Sequence, residues 1–338
     1  MNSLFRIAID AMSGDNGLEA AVPAAVQFLK EHNDTILTLV GDETQLKAEL
    51  ERLKQASNER ILVKHASQVV TMDEAPALAL RGKKDSSMRV AINLVKSGEA
   101  DAAVSAGNTG ALMATGRFVL RMLPGIDRPA ICTALPASNG HTYMLDLGAN
   151  IDSTSEHLYQ FAVMGSELVR AIDEIEAPRV GLLNIGSEDM KGNEQVKAAH
   201  ERLQSGEFNY IGFVEGNDIF HGDVDVIVCD GFVGNVALKT SEGLAKMLSD
   251  RLKTEYMKSL YTKFAALVSY PVLKSLRKRL DHRRYNGASF LGLKGIVIKS
   301  HGSADSIAFA NAIGIARKAV MEKVPERIED HLQKHLVD

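Results

Sequence analysis

Short apolar runs alternate with helical patterns along the whole chain. Residues 5–10 (Phe-Arg-Ile-Ala-Ile-Asp) predict a first strand, and an Ala-rich stretch predicts a helix over roughly 19–31. A strand over 35–40, a helix over 43–54 and a strand over 61–64 follow. Ser86-Ser87 caps a helix whose Ile92, Leu94 and Val95 give it one apolar side; Gly98 stops it, and the strand 102–105 starts at once. The alternation continues to the C-terminus. It predicts βαβ units and an α/β fold with a doubly wound, mainly parallel sheet. A hairpin interrupts it at 131–147, where two strands flank Ser138-Asn139-Gly140.

Several of these strands end alike, in Gly with Asn, Asp, Ser or His. The clearest tips are Ser105-Ala106-Gly107-Asn108-Thr109-Gly110, Asn184-Ile185-Gly186, Asp230-Gly231-Phe232-Val233-Gly234-Asn235 and Lys299-Ser300-His301-Gly302. Such tips put bare backbone N–H groups at helix N-termini, where an anion can sit. Along one parallel sheet they line one crevice. The candidate anion ligands are therefore Gly107, Thr109, Gly110, Gly186, Gly234 and Asn235. Asn108, Asn184 and Asn235 carry short amides that either donate to an oxyanion or tie loops together. Lys191, Lys239 and Lys299 flank the tips. His301 stands before a helix capped by Ser303 or Asp305, placed either to meet phosphate and move a proton or simply to cap.

One segment breaks the charge balance. Residues 253–284 hold nine Lys or Arg against Glu255 and Asp281, a net +7, so the rest of a chain of net charge −4 stands at −11. Tyr256, Leu260, Phe264, Leu267 and Val268 recur there near helical spacing. Pro271 is expected to split the run into two helices with a bend near 264–268. Either the stripe is buried between subunits, or it is a basic amphipathic element that touches an anionic membrane or an acidic partner. The contact residues in the second case are Phe264, Leu267, Val268, Lys263 and Lys274.

Composition narrows the function further. Trp is absent and aromatics are 5%, which disfavours base-stacking platforms; with the negative net charge, no nucleic-acid partner is expected. Cys132 and Cys229 lie inside apolar strand patterns, suited to buried thiols in a reducing, cytoplasmic compartment. The start of the chain lacks a cleavage pattern, and no apolar stretch approaches the length of a membrane span. Dinucleotide, Walker A, G-x-S-x-G and C-x-x-C patterns are missing. His331 and His335 have zinc-helix spacing, but Leu332 stands where the glutamate belongs. Neither a metal nor a cofactor is expected.

The motifs together resemble the bacterial phosphate acyltransferases of phospholipid synthesis. The resemblance is carried by Ile7-Ala8-Ile9-Asp10-Ala11-Met12, Ser105-Ala106-Gly107-Asn108-Thr109-Gly110-Ala111 and Asp146-Leu147-Gly148-Ala149-Asn150. Leu183-Asn184-Ile185-Gly186, Val228-Cys229-Asp230-Gly231-Phe232, Gly234-Asn235-Val236 and Leu238-Lys239-Thr240 add to it. So do Tyr285-Asn286-Gly287-Ala288 and Ile298-Lys299-Ser300-His301-Gly302. The matches run in order from about residue 5 to 327. The resemblance implies transfer of a fatty acyl group from acyl-[acyl carrier protein] to inorganic phosphate. An integral-membrane acyltransferase then passes that group to glycerol 3-phosphate. It also implies a homodimer, peripheral attachment to the inner membrane face, and an α/β/α sandwich similar to phosphotransacetylases and isopropylmalate dehydrogenases. The whole chain, 1–338, would be one such domain with a protruding helical segment at 244–285. Two departures stand near the first turn. The family reads Met-Gly-Gly-Asp with a proline a few residues on, whereas this chain has Met12-Ser13-Gly14-Asp15 and Leu18. A serine fits there if φ is negative.

That reaction assigns roles. Phosphate arrives largely as a dianion, so a strong base is hardly needed. The site must hold it beside a thioester carbonyl, stabilise an oxyanion and let a thiolate leave. Lys239 and Lys299 would compensate charge, His301 would protonate the thiolate, and Asn108 and Asn184 would donate to the oxyanion. Asp10 and Asp230 would orient the lysines. Rival readings are a phosphate acetyl- or butyryltransferase using coenzyme A, and a non-catalytic membrane-bound scaffold.

Overall fold

A computed structural model describes residues 4–206, 209–279 and 282–335. β1 (Phe5–Asp10) leads into α1 (Gly17–Glu31), β2 (Thr35–Gly41), α2 (Glu43–Arg52) and β3 (Ile61–His65). α3 (Pro76–Gly82), α4 (Ser87–Lys96), β4 (Ala102–Ser105) and α5 (Thr109–Leu120) complete the first half. β5 (Ala130–Ala137) and β6 (Gly140–Leu145) form the expected hairpin. α6 (Ser155–Ile172), β7 (Arg179–Leu183), α7 (Glu194–Ser205), β8 (Asn209–Val214) and β9 (Val226–Val228) follow. Then come α8 (Gly231–Met257), α9 (Leu260–Arg279), β10 (Ala288–Leu291), β11 (Ile296–Lys299), α10 (Ser306–Met321) and α11 (Val324–His335).

The strands form one sheet in the order β3-β2-β1-β4-β11-β10-β5-β6-β9-β7-β8. β1 to β4 and β11 are parallel to one another, as are β6, β7, β8 and β9. Antiparallel pairs β11/β10, β10/β5 and β5/β6 join the two sets. The two parallel half-sheets therefore point in opposite directions. Their register makes the C-terminal ends meet. Ile298 faces Ser289, which faces Cys132; one residue on, Thr133 faces Met144, which faces Ile227. Each half-sheet thus ends at the same level, with the two sets of tips pointing in opposite directions.

Helices cover both faces, which is why the inner strands read as continuous apolar runs. All four residues of β4 are buried. Ile7 and Ile9 pack with Phe28, Phe309 and Ile313 of α1 and α10, while Ala8, one residue between them, faces the cluster holding Met88, Ile92 and Leu112 of α4 and α5. Full burial of each large aliphatic side chain is worth about 1.5–3 kcal/mol. α6, α7 and α11 close the second half through Phe161, Leu168, Leu203 and Ile328.

The basic segment departs from expectation. Its helices break at Lys258–Ser259, and Pro271 lies inside α9. The reason is a reciprocal cap. Ser259 N donates to Thr262 Oγ1 at 3.0 Å, and Thr262 N donates to Ser259 Oγ at 3.1 Å. That satisfies the orphan donors of a new helix start, whereas Pro271 removes only one donor from the ladder. Phe264, Leu267 and Val268 therefore sit within the second and third turns of α9, not at a bend. They are 65%, 71% and 66% exposed, and Lys263 and Lys274 are exposed with them. The side chains at 275–279, 282 and 284, including Arg277, Lys278, Arg279 and Arg284, lie outside the described residues.

Candidate active site

Three strand tips of the first half meet at Asp10, Ser105 and Lys299, which the register places side by side. Ser105 Oγ donates to Asp10 Oδ2 at 2.6 Å and accepts from Gly107 N at 3.0 Å. Asp10 is fully buried, and its Oδ1 has no partner among the described residues. Lys299 is only 8% exposed; its Nζ donates to the carbonyl of Ala106 at 3.2 Å and to that of Ser300. Burial is the main force on its amine and lowers its pKa from the ordinary 10.5 to about 8; Asp10 and Asp15 oppose the fall and Lys239 adds to it. An ammonium has three donors. Two are held by carbonyls, so the third is available to the site.

The first and last tips are tied to each other. Asp15 N donates to Gly302 O at 2.8 Å, and Asn16 Nδ2 donates to Ala304 O at 3.0 Å. The sharp turn falls on Gly14, at φ +90°, where a Cβ would stand 2.8 Å from Ala106 Cβ. Ser13 is not among the positive-φ residues, so serine is accommodated where the family has glycine. Its hydroxyl is buried against Gly107 with no partner among the described residues. Asn286, also buried, organises the His301 side. It donates to Ser300 Oγ at 2.8 Å and to Ala308 O at 2.7 Å, and accepts from His301 N at 2.8 Å. The His301 ring is exposed; Ser303 N donates to its Nδ1 at 3.3 Å, which puts the proton of the neutral ring on Nε2.

The second half contributes a buried acidic turn. Asp146 accepts from Ile131 N, Ala149 N, Asn150 N and Asn150 Nδ2 at 2.7–3.1 Å. Burial raises its pKa, and those four donors oppose the rise. α8 starts pressed onto this turn. A Cβ on Gly234 would lie 1.9 Å from Asp146 O, and one on Gly231 would lie 2.2 Å from Asn150 O.

Several expected roles change once partners are visible. Asn108 caps α5 by accepting from Ala111 N and donates to the carbonyls of Met72 and Glu74 at 2.9 and 3.0 Å. Both amide hydrogens are used, which leaves none for an oxyanion. Asn184 likewise donates to Gly186 O and Lys191 O and ties its own loop. Asp230 orients no lysine: its two oxygens accept from Phe232 N and Ser153 N, each at 2.8 Å. The N–H of Gly107 goes to Ser105 Oγ, and that of Gly234 to Asp230 O. Neither is free to cradle an anion. Gly186 stands too far out to share one with Gly107. β7 is six inter-strand steps from β4, about 29 Å along the sheet. Lys191 pairs with Glu188 at 2.7 Å.

What remains centres on two neighbouring strands, β4 and β11. The first-turn amides of Thr109 and Gly110 have no acceptor among the described residues. Lys299 is on the neighbouring strand, and His301 lies two residues beyond it. Lys239 is exposed on α8, paired with Glu242 at 2.7 Å, yet its charge reaches Lys299. Asn235 is exposed beside Gly148. Sequence reading did not single out Ser13, Ser105, Asp146 or Asn286 as site residues. Their signals were a serine in a Gly turn, a serine ending a buried strand, and Asp and Asn beside glycines.

Burial pushes both thiols up, so neither Cys132 nor Cys229 is primed as a nucleophile. Among the described residues no group of His, Cys, Asp or Glu is placed to hold a metal, and His331 Nδ1 meets Glu167 at 3.0 Å instead. No helix among them is long and apolar enough to cross a membrane.

Comparison with known proteins agrees with this architecture. The chain covers 94% of a phosphotransacetylase from Streptococcus pyogenes with a TM-score of 0.64 at 17% identity, and that chain covers 94% of this one. A branched-chain phosphotransacylase from Enterococcus faecalis gives 0.60 at 13% identity, over 94% of this chain and 99% of that one. At those identities the likeness is one of fold. Sequence relatives are much nearer. The phosphate acyltransferase of Methylococcus capsulatus is 60% identical over 326 residues, 96% of each chain. That of Nitrosococcus oceani is 58% identical over 330 residues, 98% of this chain and 97% of the other. A family described as "Fatty acid synthesis protein" matches residues 5–327. A doubly wound sheet in which three strand tips of the first half meet beside Lys299, and near-complete relatives of one kind, lead to one conclusion: the chain belongs to the phosphate acyltransferase family of enzymes.

Proposed function

We propose that this enzyme transfers a fatty acyl group from acyl-[acyl carrier protein] to inorganic phosphate, releasing free carrier and acyl phosphate. A membrane glycerol-3-phosphate acyltransferase then uses that product. The observation that carries the reading is Lys299, a buried cation held by the carbonyls of Ala106 and Ser300 on the strand next to β4, whose tip leads into the open amides of Thr109 and Gly110 at the start of α5. That is a site for a small dianion, shaped by a helix N-terminus and a desolvated charge.

The step balances simply. A phosphate oxygen attacks the thioester carbonyl carbon, and the C–S bond breaks with its electron pair on sulfur. Lys299 and the α5 amides hold phosphate and the developing oxyanion; one such donor is worth about 3–4 kcal/mol. Lys239 adds positive field from α8. His301, with its proton on Nε2, delivers a proton to the departing thiolate. Asn286 positions His301 and Ser300. The direct test incubates the protein with acyl-carrier protein and phosphate, without added metal or nucleotide. Acyl phosphate and free carrier are expected. Activity on coenzyme A thioesters with inert carrier thioesters would make it the short-chain type of enzyme instead.

The exposed stripe of α9 supports a second element of the proposal. Phe264, Leu267 and Val268, with Lys263 and Lys274, dock on the anionic inner membrane face, while the remaining length of α8 and α9 pairs two subunits into a homodimer. Each basic residue near the surface is worth about 1 kcal/mol, and apolar insertion adds about 25 cal/mol per Å². Changing Leu267 and Val268 to Glu should abolish vesicle co-sedimentation while turnover in solution and dimerisation survive. Loss of turnover or of the dimer with vesicle binding intact would make the segment a subunit or carrier interface.

A further inference from the structure

A second surface, away from the tips, carries an unbalanced charge. On α5, Phe118 is 51% exposed, although its neighbours Val119 and Leu120 are buried. Two guanidinium groups lie over its ring, Arg89 Cζ at 5.0 Å from the centroid and Arg121 Cζ at 5.8 Å. Arg117 is exposed beside it. No described carboxylate forms an ion pair with Arg89, Arg117 or Arg121. The acids nearby in sequence are engaged elsewhere: Asp101 with Arg6, Asp85 with Ser67 and Glu99 with Ser97. Residues 81–121 hold seven basic against three acidic residues. Burial acts on Arg89 with no carboxylate to oppose it, and its Nε is buried without a partner.

Like charges sharing one ring repel each other, and the backbone maintains the arrangement at a cost. Arg121 sits at φ +70°, ψ 172°, a strained conformation for a residue other than glycine, with its carbonyl pinned by Lys294 N at 3.1 Å. A cation pair over an exposed ring, lacking its own counter-ion, fits an external carboxylate-rich surface with an apolar contact at its centre. The position selects the occupant. Phe118 is eight residues beyond Gly110 on the same helix, about 12 Å from the anion site at a rise of 1.5 Å per residue. Whatever docks there can reach the crevice along α5 with a flexible tethered group.

We infer that Arg89, Arg117, Phe118 and Arg121 form the docking face for the carrier that delivers the acyl thioester, engaging a carboxylate-rich surface of that carrier. The face deepens the proposed reaction and rests on it. Charge complementarity at such a rim sets encounter and specificity, and leaves the chemistry of the thioester untouched.

The test uses the full-length protein with Arg117→Glu/Arg121→Glu, and separately Phe118→Ala. Two donors are compared, the acyl carrier and a carrier-free acyl-pantetheine thioester. Binding of the unacylated carrier is titrated in parallel. The carrier KM and Kd should each rise at least tenfold in the double variant, with kcat within about twofold and rates on acyl-pantetheine unchanged. Arg117→Lys/Arg121→Lys should restore most of the affinity. Unchanged carrier KM and Kd overturn the face while the reaction stands. Carrier binding that is sensitive to the double variant, without acyl phosphate formation by the wild type, upholds the face and sinks the reaction. Loss of vesicle binding with carrier KM unchanged makes this a lipid surface and also overturns the inference.

Discussion

Lys299→Met separates the cost of the buried amine from the bonds it makes. The folded pKa is about 8 against an ordinary 10.5. Below about pH 8 both the folded and unfolded chains carry the proton, and the folded state bears the full difference, about 3 kcal/mol at 1.36 kcal/mol per unit. Between pH 8 and 10.5 the unfolded chain still holds a proton that the folded one has released. Stability contributed by this group therefore rises with pH across that window. At pH 9.5 the relief amounts to about 2 kcal/mol, and at pH 7 it is close to zero. Methionine fills similar space but does not titrate. Its loss of the bonds to Ala106 O and Ser300 O is the same at both pH values. The difference between the two proteins, measured by urea unfolding at fixed concentration, should therefore move by about 2 kcal/mol in favour of wild type between pH 7 and pH 9.5. Parallel stability curves would refute the account of Lys299 as a desolvated cation. Activity should fall at least tenfold in the variant, because the charge proposed to hold phosphate is gone.

Other expectations are simpler. In wild type, kcat/KM for phosphate should decline above about pH 8 as free Lys299 deprotonates, and a pH–rate profile reads this directly. Gly234→Ala places a methyl 1.9 Å from Asp146 O; α8 must lift away, costing about 1–3 kcal/mol by denaturation. Asn286→Ala leaves Ser300 Oγ, Ala308 O and His301 N without their partner. It should lose about 2–4 kcal/mol of stability, with a fall in kcat that exceeds the change in phosphate KM. His301→Ala should cut turnover at least tenfold with the fold intact by circular dichroism; near-wild-type rates would return the ring to a capping role.

The alternation of strands and helices, the hairpin around Ser138-Asn139-Gly140, and the caps at Ser86 and Asp305 were legible in the sequence. Each depends on neighbours a few residues apart: apolar periodicity, or a side chain bonding its own helix start. The family was legible too, because its motifs recur in order along the chain. Local pattern misplaced the break near Pro271, since a Ser259–Thr262 reciprocal cap outweighs one missing donor. It also assigned Asn108, Asn184 and Asp230 to chemistry, because a side chain's type does not say which backbone groups lie within reach. Those partners come from segments such as Met72–Glu74 and Ser153, brought close only by packing. The opposed half-sheets were likewise invisible, as strand direction depends on which edges pair across long separations. The sequence alone determined which segments become strands and helices and which residue types stand at their tips. The tertiary structure alone decided which tips meet, that Lys299 is buried among carbonyls beside Asp10, and that Gly186 stands apart, because desolvation and hydrogen bonding act through space and not along the chain.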